Sequence, residues 1–450
     1  MTPEPLRLVR QSDHESLCEG LRQAVTKSPT AFLLPFWANL ADGACGFEDF
    51  AAAVQARRGL SYLTIDTTGA CDLKCAGMCY YNPAISIRRR PVDEPALVGA
   101  IQEAARDLDL RVLAFAGKEP FLNASRLFSL MAEAARIPDR SFLIGIVSNG
   151  RHVAAHADAL IHAAAARQLD YIDISIDTAD RSEHDLIRGV SGTYDRAAAA
   201  VRWLNQELPN VTTSVVSVLR GHNAHGLLEL PKEFAGVNTN YQIQPIQPPP
   251  GSSLPPLTSG YIVQFLDQLH ESLAGPLAGC GIRVSIELLG VYLLEVVHAG
   301  FFKWSELKED TNCTVYVERT IGGNTLVLTC EVFPLQAWRL ARITYTGAYL
   351  AHMHFLQSPD PDHFAVGNVD REPLGALFDR AMSDSSYFGQ VVATRRGHDC
   401  AGRPCWRNCF GGWNGAENVF LEKHRKPSEQ PRLCTKTAED LVRLKGSTRI

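Results

Sequence analysis

The sequence has no apolar run of about 18 residues, the least that spans a bilayer as a helix. Its start, Met1 to Cys18, carries Glu4, Arg7, Arg10, Asp13 and Glu15, which leaves no room for the apolar part of a secretion signal. Both absences predict a cytoplasmic chain with no membrane partner. Positive charge is not in excess either: 44 Lys and Arg stand against 49 Asp and Glu, so the net charge is -5 and no basic field invites nucleic acid. No repeat recurs at solenoid periods. With 46% hydrophobic and 21% charged residues the balance is that of a globular protein, which excludes disordered, collagen-like and coiled-coil chains. The 450 residues allow one large domain with appendages, or two to three smaller ones. Cysteine, by contrast, is plentiful. Twelve of them in a chain expected in a reducing compartment point to metal or to chemistry rather than to disulfides.

Cys18, Cys45 and Cys280 stand alone in the sequence. Cys18 and Cys45 read as small apolar core residues, and Cys280 is left open. The other nine form two groups, Cys71, Cys75 and Cys79 near the start and Cys313, Cys330, Cys400, Cys405, Cys409 and Cys434 near the end, so two or more metal sites are expected. The first group reads Cys71-Asp72-Leu73-Lys74-Cys75-Ala76-Gly77-Met78-Cys79. A helix would put the three thiols on one face, but its outer pair would lie about 12 Å apart, too far to share one metal or cluster. Gly69 and Gly77 also make a helix costly. The run is therefore expected to be a loop wrapped around something. Three thiolates with no fourth Cys or His in the loop leave one coordination position open, as a cluster requires if it is to bind a substrate or cosubstrate. Structural zinc, the competing reading, usually closes its site with a second pair of ligands.

Strand-like and helix-like segments alternate around this loop. Strands are expected at Tyr62 to Asp66, Val112 to Ala116, Phe142 to Val147, Tyr171 to Asp177, Val211 to Leu219 and Asn240 to Ile246. Helices are expected at Ala124 to Ile137, Val153 to Gln168, Tyr194 to Glu207, Gly226 to Phe234 with a break near Pro231, and Ile262 to Ala274. Such repeats mean parallel strands joined by crossovers, in an open sheet or a full or partial barrel, with ligands at the C-terminal ends of the strands. The Pro-rich stretch Pro245 to Gly251 marks a rigid exit. From about Gly279 the character changes to hairpins, turns and cysteines, and Cys313 to Cys330 reads as a hairpin turning at Gly322-Gly323-Asn324. Three domains follow: a helical extension over 1–60, the β/α repeat over 61–278 and a Cys-rich domain over 279–450.

A strand, a three-cysteine loop with an open position and a train of β/α units resembles the radical S-adenosylmethionine (SAM) enzymes, and the resemblance covers roughly Ser61 to Gln247. It implies an α/β fold, a partial (β/α)6 barrel, with a [4Fe-4S] cluster on Cys71, Cys75 and Cys79 and SAM as cofactors. The family's usual loop has three and then two residues between cysteines, with an aromatic residue before the last. Here the spacing is three and three with Met78 before Cys79, so Tyr80 or Tyr81 would take over the stacking on adenine. Gly117-Lys118-Glu119-Pro120 is similar to the family's Gly-Gly-Glu-Pro, whose backbone and carboxylate hold the SAM ammonium, with Lys118 in place of a glycine. Ser148-Asn149-Gly150 is similar to the family's Thr-Asn-Gly. Ser175, and Arg188 in His184-Asp185-Leu186-Ile187-Arg188-Gly189, resemble residues that contact the SAM ribose and carboxylate, the latter a group that suits arginine's planar fork.

The later cysteines resemble the auxiliary-cluster modules of that family, called SPASM or twitch domains. Cys313 and Cys330 fit the first element, and Cys400, Cys405, Cys409 and Cys434 the second, including the ending Cys409-Phe410-Gly411-Gly412. The full module has seven cysteines and two clusters. Six are found here, with His398 or Asp399 as stand-ins for the missing one, so the resemblance implies an auxiliary [4Fe-4S] cluster. The loop with Met before its last cysteine further resembles that of radical SAM enzymes in peptidyl nucleoside antibiotic pathways, those for blasticidin S and mildiomycin, which include decarboxylases of cytosylglucuronic acid. The implied substrate is a small cytosine nucleoside whose sugar carries a carboxylate. A 5'-deoxyadenosyl radical from SAM would take a hydrogen from that sugar, carbon dioxide would leave, and an external one-electron reductant of flavodoxin or ferredoxin type would supply the electron.

The residues that would serve this substrate are less defined. Arg88, Arg89 and Arg90 are candidates for the carboxylate, though a solvated basic turn accounts for them as well. Gln242, Gln244 and Gln247, or Glu287, offer hydrogen bonds to a cytosine ring, and strand alternation puts Gln242 and Gln244 on one face. His222 and His225, near a strand end, read as structural or exposed. Two alternatives stand beside this reading. One is a peptide-modifying or aminocyclitol-dehydrogenating radical SAM enzyme, although a leader-binding domain ahead of the barrel usually needs about 80 residues or more, against 60 here. The other is a non-catalytic iron-sulfur or zinc protein with purely structural cysteines.

Overall fold

The computed structural model describes residues 59–75, 79, 90–234, 236–246, 257–289, 292, 295–297, 299–303, 306–309, 314–331, 340–351 and 365–381. Within them the chain builds β1 (Tyr62–Asp66), α1 (Glu94–Asp107), β2 (Val112–Ala116), α2 (Ala124–Ala135), β3 (Leu143–Ser148), α3 (Ala157–Ala165), β4 (Tyr171–Ser175), α4 (Arg181–Arg188) and α5 (Thr193–Glu207). It continues through β5 (Thr212–Leu219), α6 (Ala224–Glu233), β6 (Asn240–Pro245), α7 (Ser259–Ala274) and β7 (Arg283–Leu289). Then come β8 (Lys308–Glu309), β9 (Val315–Ile321), β10 (Asn324–Glu331), β11 (Leu340–Ile343), β12 (Ala348–Leu350), β13 (Gly367–Asn368) and α8 (Leu374–Ala381).

One open sheet holds every strand, in the order β13-β12-β11-β1-β2-β3-β4-β5-β6-β7-β10-β9-β8. The strands from β11 through β1 to β7 and on to β10 pair in parallel, while β12 and β13 at one margin and β9 and β8 at the other pair antiparallel. The sheet curls. The hydroxyls of Tyr62 on β1 and Tyr171 on β4 lie 3.3 Å apart although β2 and β3 run between them. In a flat sheet three strand spacings would separate them by roughly 14 Å. Gly145 on β3 lets the Tyr171 ring cross the hollow, since a Cβ there would stand 2.0 Å from that ring. This is the α/β, partial-barrel architecture expected from the sequence, with six β/α units from β1 to β6.

Alternation sorts the two faces. Leu63 and Ile65 on β1, Ile172 and Ile174 on β4, and Leu113 and Phe115 on β2 are buried in the main apolar core together with Leu97, Ile101 and Ala104 of α1 and Leu127, Leu130 and Met131 of α2. The opposite, hollow face is mixed: it carries Tyr62, Thr64 and Asp66 on β1, Asp173 and Ser175 on β4, Ser214 on β5, and Gln242 and Gln244 on β6, beside small apolar residues such as Ala114 on β2 and Val216 on β5. Arg342 on β11 closes this face beside β1, its Nε donating to Asp66 Oδ1 at 2.8 Å. Both side chains are buried.

The expected strands are present, most within a residue or two of their bounds. Helix α6 is not broken at Pro231. The proline falls in its last turn, where the missing N–H forfeits a single hydrogen bond. Helix α1 escaped the pattern reading because its apolar positions, Leu97, Ala100, Ile101 and Ala104, are half alanine. The hairpin of β9 and β10 turns at Gly322 and Gly323, whose φ of 55° and 81° lie in the left-handed region a tight hairpin needs. β7 pairs with β6 in parallel, and Glu103 of α1 accepts the first N–H groups of α8, those of Leu374 and Gly375, at 2.7 and 3.0 Å. The 1–58 part of the N-terminal extension, with Cys18 and Cys45, lies outside the described residues, as do Pro248 to Gly251.

Candidate active site

The segment after β1 carries Cys71, Cys75 and Cys79, and the C-terminal ends of three further strands grip it. From β2, the N–H of Glu119 donates to Ala70 O at 3.0 Å. Gly117 has φ 116° and sits so close to Thr68 that a Cβ would stand 2.8 Å from its carbonyl oxygen. From beyond β3, Arg151 Nη1 and His152 Nε2 reach Asp72 Oδ2 at 2.8 and 3.0 Å, and Asn149 Nδ2 donates to Asp72 Oδ1 at 3.1 Å. Burial opposes ionisation of Asp72, yet the His152 hydrogen bond, the Arg151 charge and Asn149 hold its carboxyl below the usual range. From beyond β4, Arg188 O at the end of α4 accepts Lys74 N–H at 3.1 Å. The loop is thus fixed between its first two cysteines.

The structure brings Glu119, Ser148 and Asn149 together. Glu119 is fully buried, with Oε1 accepting from Phe121 N–H at 3.2 Å and Ser148 Oγ at 2.9 Å, and Oε2 accepting from Asn149 N–H at 2.9 Å. Burial pushes its pKa up, and the two backbone N–H groups pull the other way. Three hydrogen bonds leave room on the carboxylate for one more donor. Ser175 is half-buried at the end of β4, opposite Val216.

Arg188 lies against Cys75, to which it donates, and its Nε stands 2.8 Å from Oδ2 of the fully buried Asp177. His184 supports this pair from behind: it is buried, its Nδ1 accepts Asp177 N–H at 3.1 Å, and burial followed by the neighbouring Arg188 lowers its pKa to about 4. Val218 N–H and Asn223 Nδ2 tie Asp177 to β5 at 3.2 and 2.8 Å. Next to it stands Arg220, one residue past β5 and 5% exposed. Asp72, Arg151, Asp177, His184 and Arg220 were missed by the sequence reading. The available signal was position, since Asp72, Arg151, Asp177 and Arg220 each follow a parallel strand past its C-terminal end, the end where ligands gather, while His184 lies on the helix after β4.

The thiols suit a cluster. Cys71, Cys75 and Cys79 are free and half-exposed. Burial raises the Cys71 pKa to about 11 and also raises that of Cys75, against the pull of Arg188. A metal centre reverses that state by binding the thiolate. Among the described residues no three Cys, His, Asp or Glu are gathered tightly enough for a single ion. Ligands of a many-atom cluster stand farther apart than those of one ion.

The remaining expectations are scattered. Cys330 is buried in the core on β10, where burial drives its pKa far up, and Cys280 is exposed. Cys313, Cys400, Cys405, Cys409 and Cys434 lie outside the described residues, as do Met78, Tyr80, Tyr81, Arg88, Arg89, Gln247, His398 and Asp399. Arg90 is exposed and pairs with Asp93 at 3.1 Å. Gln242 and Gln244 share the hollow face, and Gln242 Nε2 donates to Ser214 Oγ at 3.1 Å. Glu287 is half-buried on β7, and His222 and His225 are exposed.

Residues 65–233 match the model of the Radical SAM superfamily. No curated protein matches the chain by sequence. Among solved structures the fold is similar to Streptococcus suis SuiB, with TM-score 0.58 and 13% identity over 86% of this chain and 81% of that one. It is also similar to native anSMEcpe with bound AdoMet, with TM-score 0.55 and 16% identity over 86% of this chain and 97% of that one. The same protein with AdoMet and the Cp18Cys peptide gives TM-score 0.54 and 16% identity over 87% and 97%. The chain contains a radical SAM domain. Its cofactors are a [4Fe-4S] cluster and SAM. No helix among the described residues is long and apolar enough to cross a membrane.

Proposed function

We propose that the chain is a cytoplasmic radical SAM carboxy-lyase that decarboxylates the sugar acid of a cytosine nucleoside, cytosylglucuronic acid, in peptidyl nucleoside antibiotic biosynthesis. One observation supports the reading: the cysteine loop has three-and-three spacing with Met78 before Cys79, and beyond β4 the hollow face presents Ser214, Gln242 and Gln244. Cys71, Cys75 and Cys79 hold the cluster, Gly117, Glu119, Ser148 and Asn149 hold the amino end of SAM, and Ser175 and Arg188 hold its ribose and carboxylate. When bound, the cluster and SAM together supply one-electron hydrogen abstraction, the reducing electron arriving from a flavodoxin- or ferredoxin-type donor. The chain's residues position and exclude water. Glu119 offers its remaining acceptor position to an ammonium, and Gln242 and Gln244 present amide donors and acceptors to a nucleobase edge. Cys313, Cys330, Cys400, Cys405, Cys409 and Cys434 serve an auxiliary [4Fe-4S] cluster.

A second reading is modification of a peptide. The likeness to anSMEcpe, solved with a Cp18Cys peptide, favours it. One assay separates the two. The protein is reconstituted anaerobically, its iron and sulfide are counted, and 5'-deoxyadenosine is measured after dithionite and SAM, with and without cytosylglucuronic acid. Carbon dioxide released in step with 5'-deoxyadenosine supports the decarboxylase. Cleavage of SAM indifferent to that nucleoside turns the assignment to the peptide reading. Intact clusters with no cleavage at all would overturn both.

A further inference from the structure

Arg220 is anchored by its backbone and unsatisfied at its side chain. Its N–H donates to Asn223 Oδ1 at 2.7 Å and its carbonyl accepts from Tyr261 Oη at 2.8 Å, so both main-chain groups are fixed. The guanidinium is buried, yet Nε and Nη2 have no hydrogen-bond partner among the described residues. It lies within electrostatic reach of Asp177, Arg188, Cys75 and Glu183. Asp177 is the fully buried carboxylate of this group, and Arg188 holds it at 2.8 Å. Glu183 is partly exposed and faces His222 at 3.8 Å. Two guanidiniums therefore stand near one buried carboxylate, and Arg188 is the one paired with it. Burying an ion without its counterion is expensive, so a position of this kind is built for an anion that arrives from outside.

We propose that Arg220 is the cation that receives the carboxylate of the sugar acid. The inference rests on the decarboxylase reading and names the residue behind its specificity. A carboxylate also exists on SAM, but there it shares one carbon with the ammonium assigned to Glu119. Arg188, at the end of α4, is the cation already assigned to that carboxylate, which leaves Arg220, after β5, for a second anion. The fork of Nε and Nη2 offers a planar carboxylate two parallel hydrogen bonds. Arg220 also follows β5, next to the strand that carries Gln242 and Gln244, so acid and base of one nucleoside fall on adjacent strands.

The test is binding to the cluster-loaded enzyme saturated with SAM, measured anaerobically by titration calorimetry. The ligands are cytosylglucuronic acid and the neutral cytosylglucoside, and the proteins are the wild type, R220Q and R220M. The wild type is expected to prefer the acid by about 10- to 100-fold, the span of a charge-assisted contact, and the variants to bind both ligands alike. A preference that survives in R220Q and R220M would overturn the assignment to Arg220, as would a loss confined to SAM affinity. A wild type that binds neither ligand removes the decarboxylase reading and this inference with it. Stability gives an independent readout, because R220M replaces an unpaired buried charge with an apolar chain of similar length. Its ligand-free melting temperature is expected to equal or exceed that of the wild type. A clear drop would mark Arg220 as a structural residue and sink the proposal.

Discussion

Arg188 and Asp177 form a buried ion pair, 2.8 Å from Nε to Oδ2, that stands directly behind Cys75. The pair joins the end of α4 to the stretch leaving β4, and Arg188 O holds the cysteine loop through Lys74 N–H. Removing one member of a buried pair leaves the other charged and unpaired, which costs about 3 to 5 kcal/mol. D177N is therefore expected to lower the unfolding free energy by that amount in urea titrations and to reduce iron bound per chain. A loss under about 1 kcal/mol would show that Arg188 finds another partner.

Asp72 makes a separate prediction because it lies inside the cysteine loop and its side chain, among the described residues, bonds to groups from beyond β3. D72N weakens the contacts to Arg151 and His152 while leaving strand and core untouched. The expected result is about a tenfold fall in SAM cleavage, with the far-UV circular dichroism unchanged. The double variant D72N/R151Q should be no worse than D72N alone, because the two substitutions break the same contact. Additive losses would mean that Arg151 acts elsewhere.

Much of this site could be read from the sequence, and the reason is physical. Strands such as Tyr62–Asp66, which alternates, and Val112–Ala116, a short apolar run, can be read from their local pattern, and the motifs Gly117 to Pro120 and Ser148 to Gly150 lie at the ends of such strands. Contacts between distant segments could not be read. Nothing in the local pattern around Asp72 says that a guanidinium 79 residues later will reach it. Arg342 is equally opaque, since it meets Asp66 from 276 residues away through parallel pairing of β11 with β1. Arg220 escaped notice because a lone arginine after a strand looks like a surface residue until its burial is known.

His184 makes stability depend on pH. In the folded chain its pKa is lowered to about 4, first by burial and then by Arg188, against an ordinary value near 6.5. Between those two values the unfolded chain binds the extra proton, so stability rises with pH through this window and is lost as pH falls. From pH 7 to pH 5 the loss attributable to His184 is about 2 kcal/mol. In H184N the amide oxygen can still accept Asp177 N–H but cannot titrate. Urea midpoints measured across this range should fall less steeply in H184N than in the wild type, and equal slopes would place the pH dependence on other groups.

Gly189 and Gly192 offer a paired test of how tightly the cysteine loop is gripped. Both have left-handed backbones, with φ of 71° and 73°. Any other residue in that conformation costs about 1 to 2 kcal/mol. They differ in what a side chain would meet. At Gly192 a Cβ has nothing within 4 Å, whereas at Gly189 it would stand 2.4 Å from Lys74 O and 2.9 Å from Lys74 C. That obstacle is backbone, so no rotamer change relieves it, and the loop between Cys71 and Cys75 must move. G192A is expected to lose about 1 kcal/mol of stability and to keep its iron content and SAM cleavage. G189A is expected to lose more stability, to bind less iron and to cleave SAM slowly. Equal behaviour of the two variants, in iron content as well as in melting temperature, would mean that the close approach of α4 to Lys74 does not hold the cysteine loop in place.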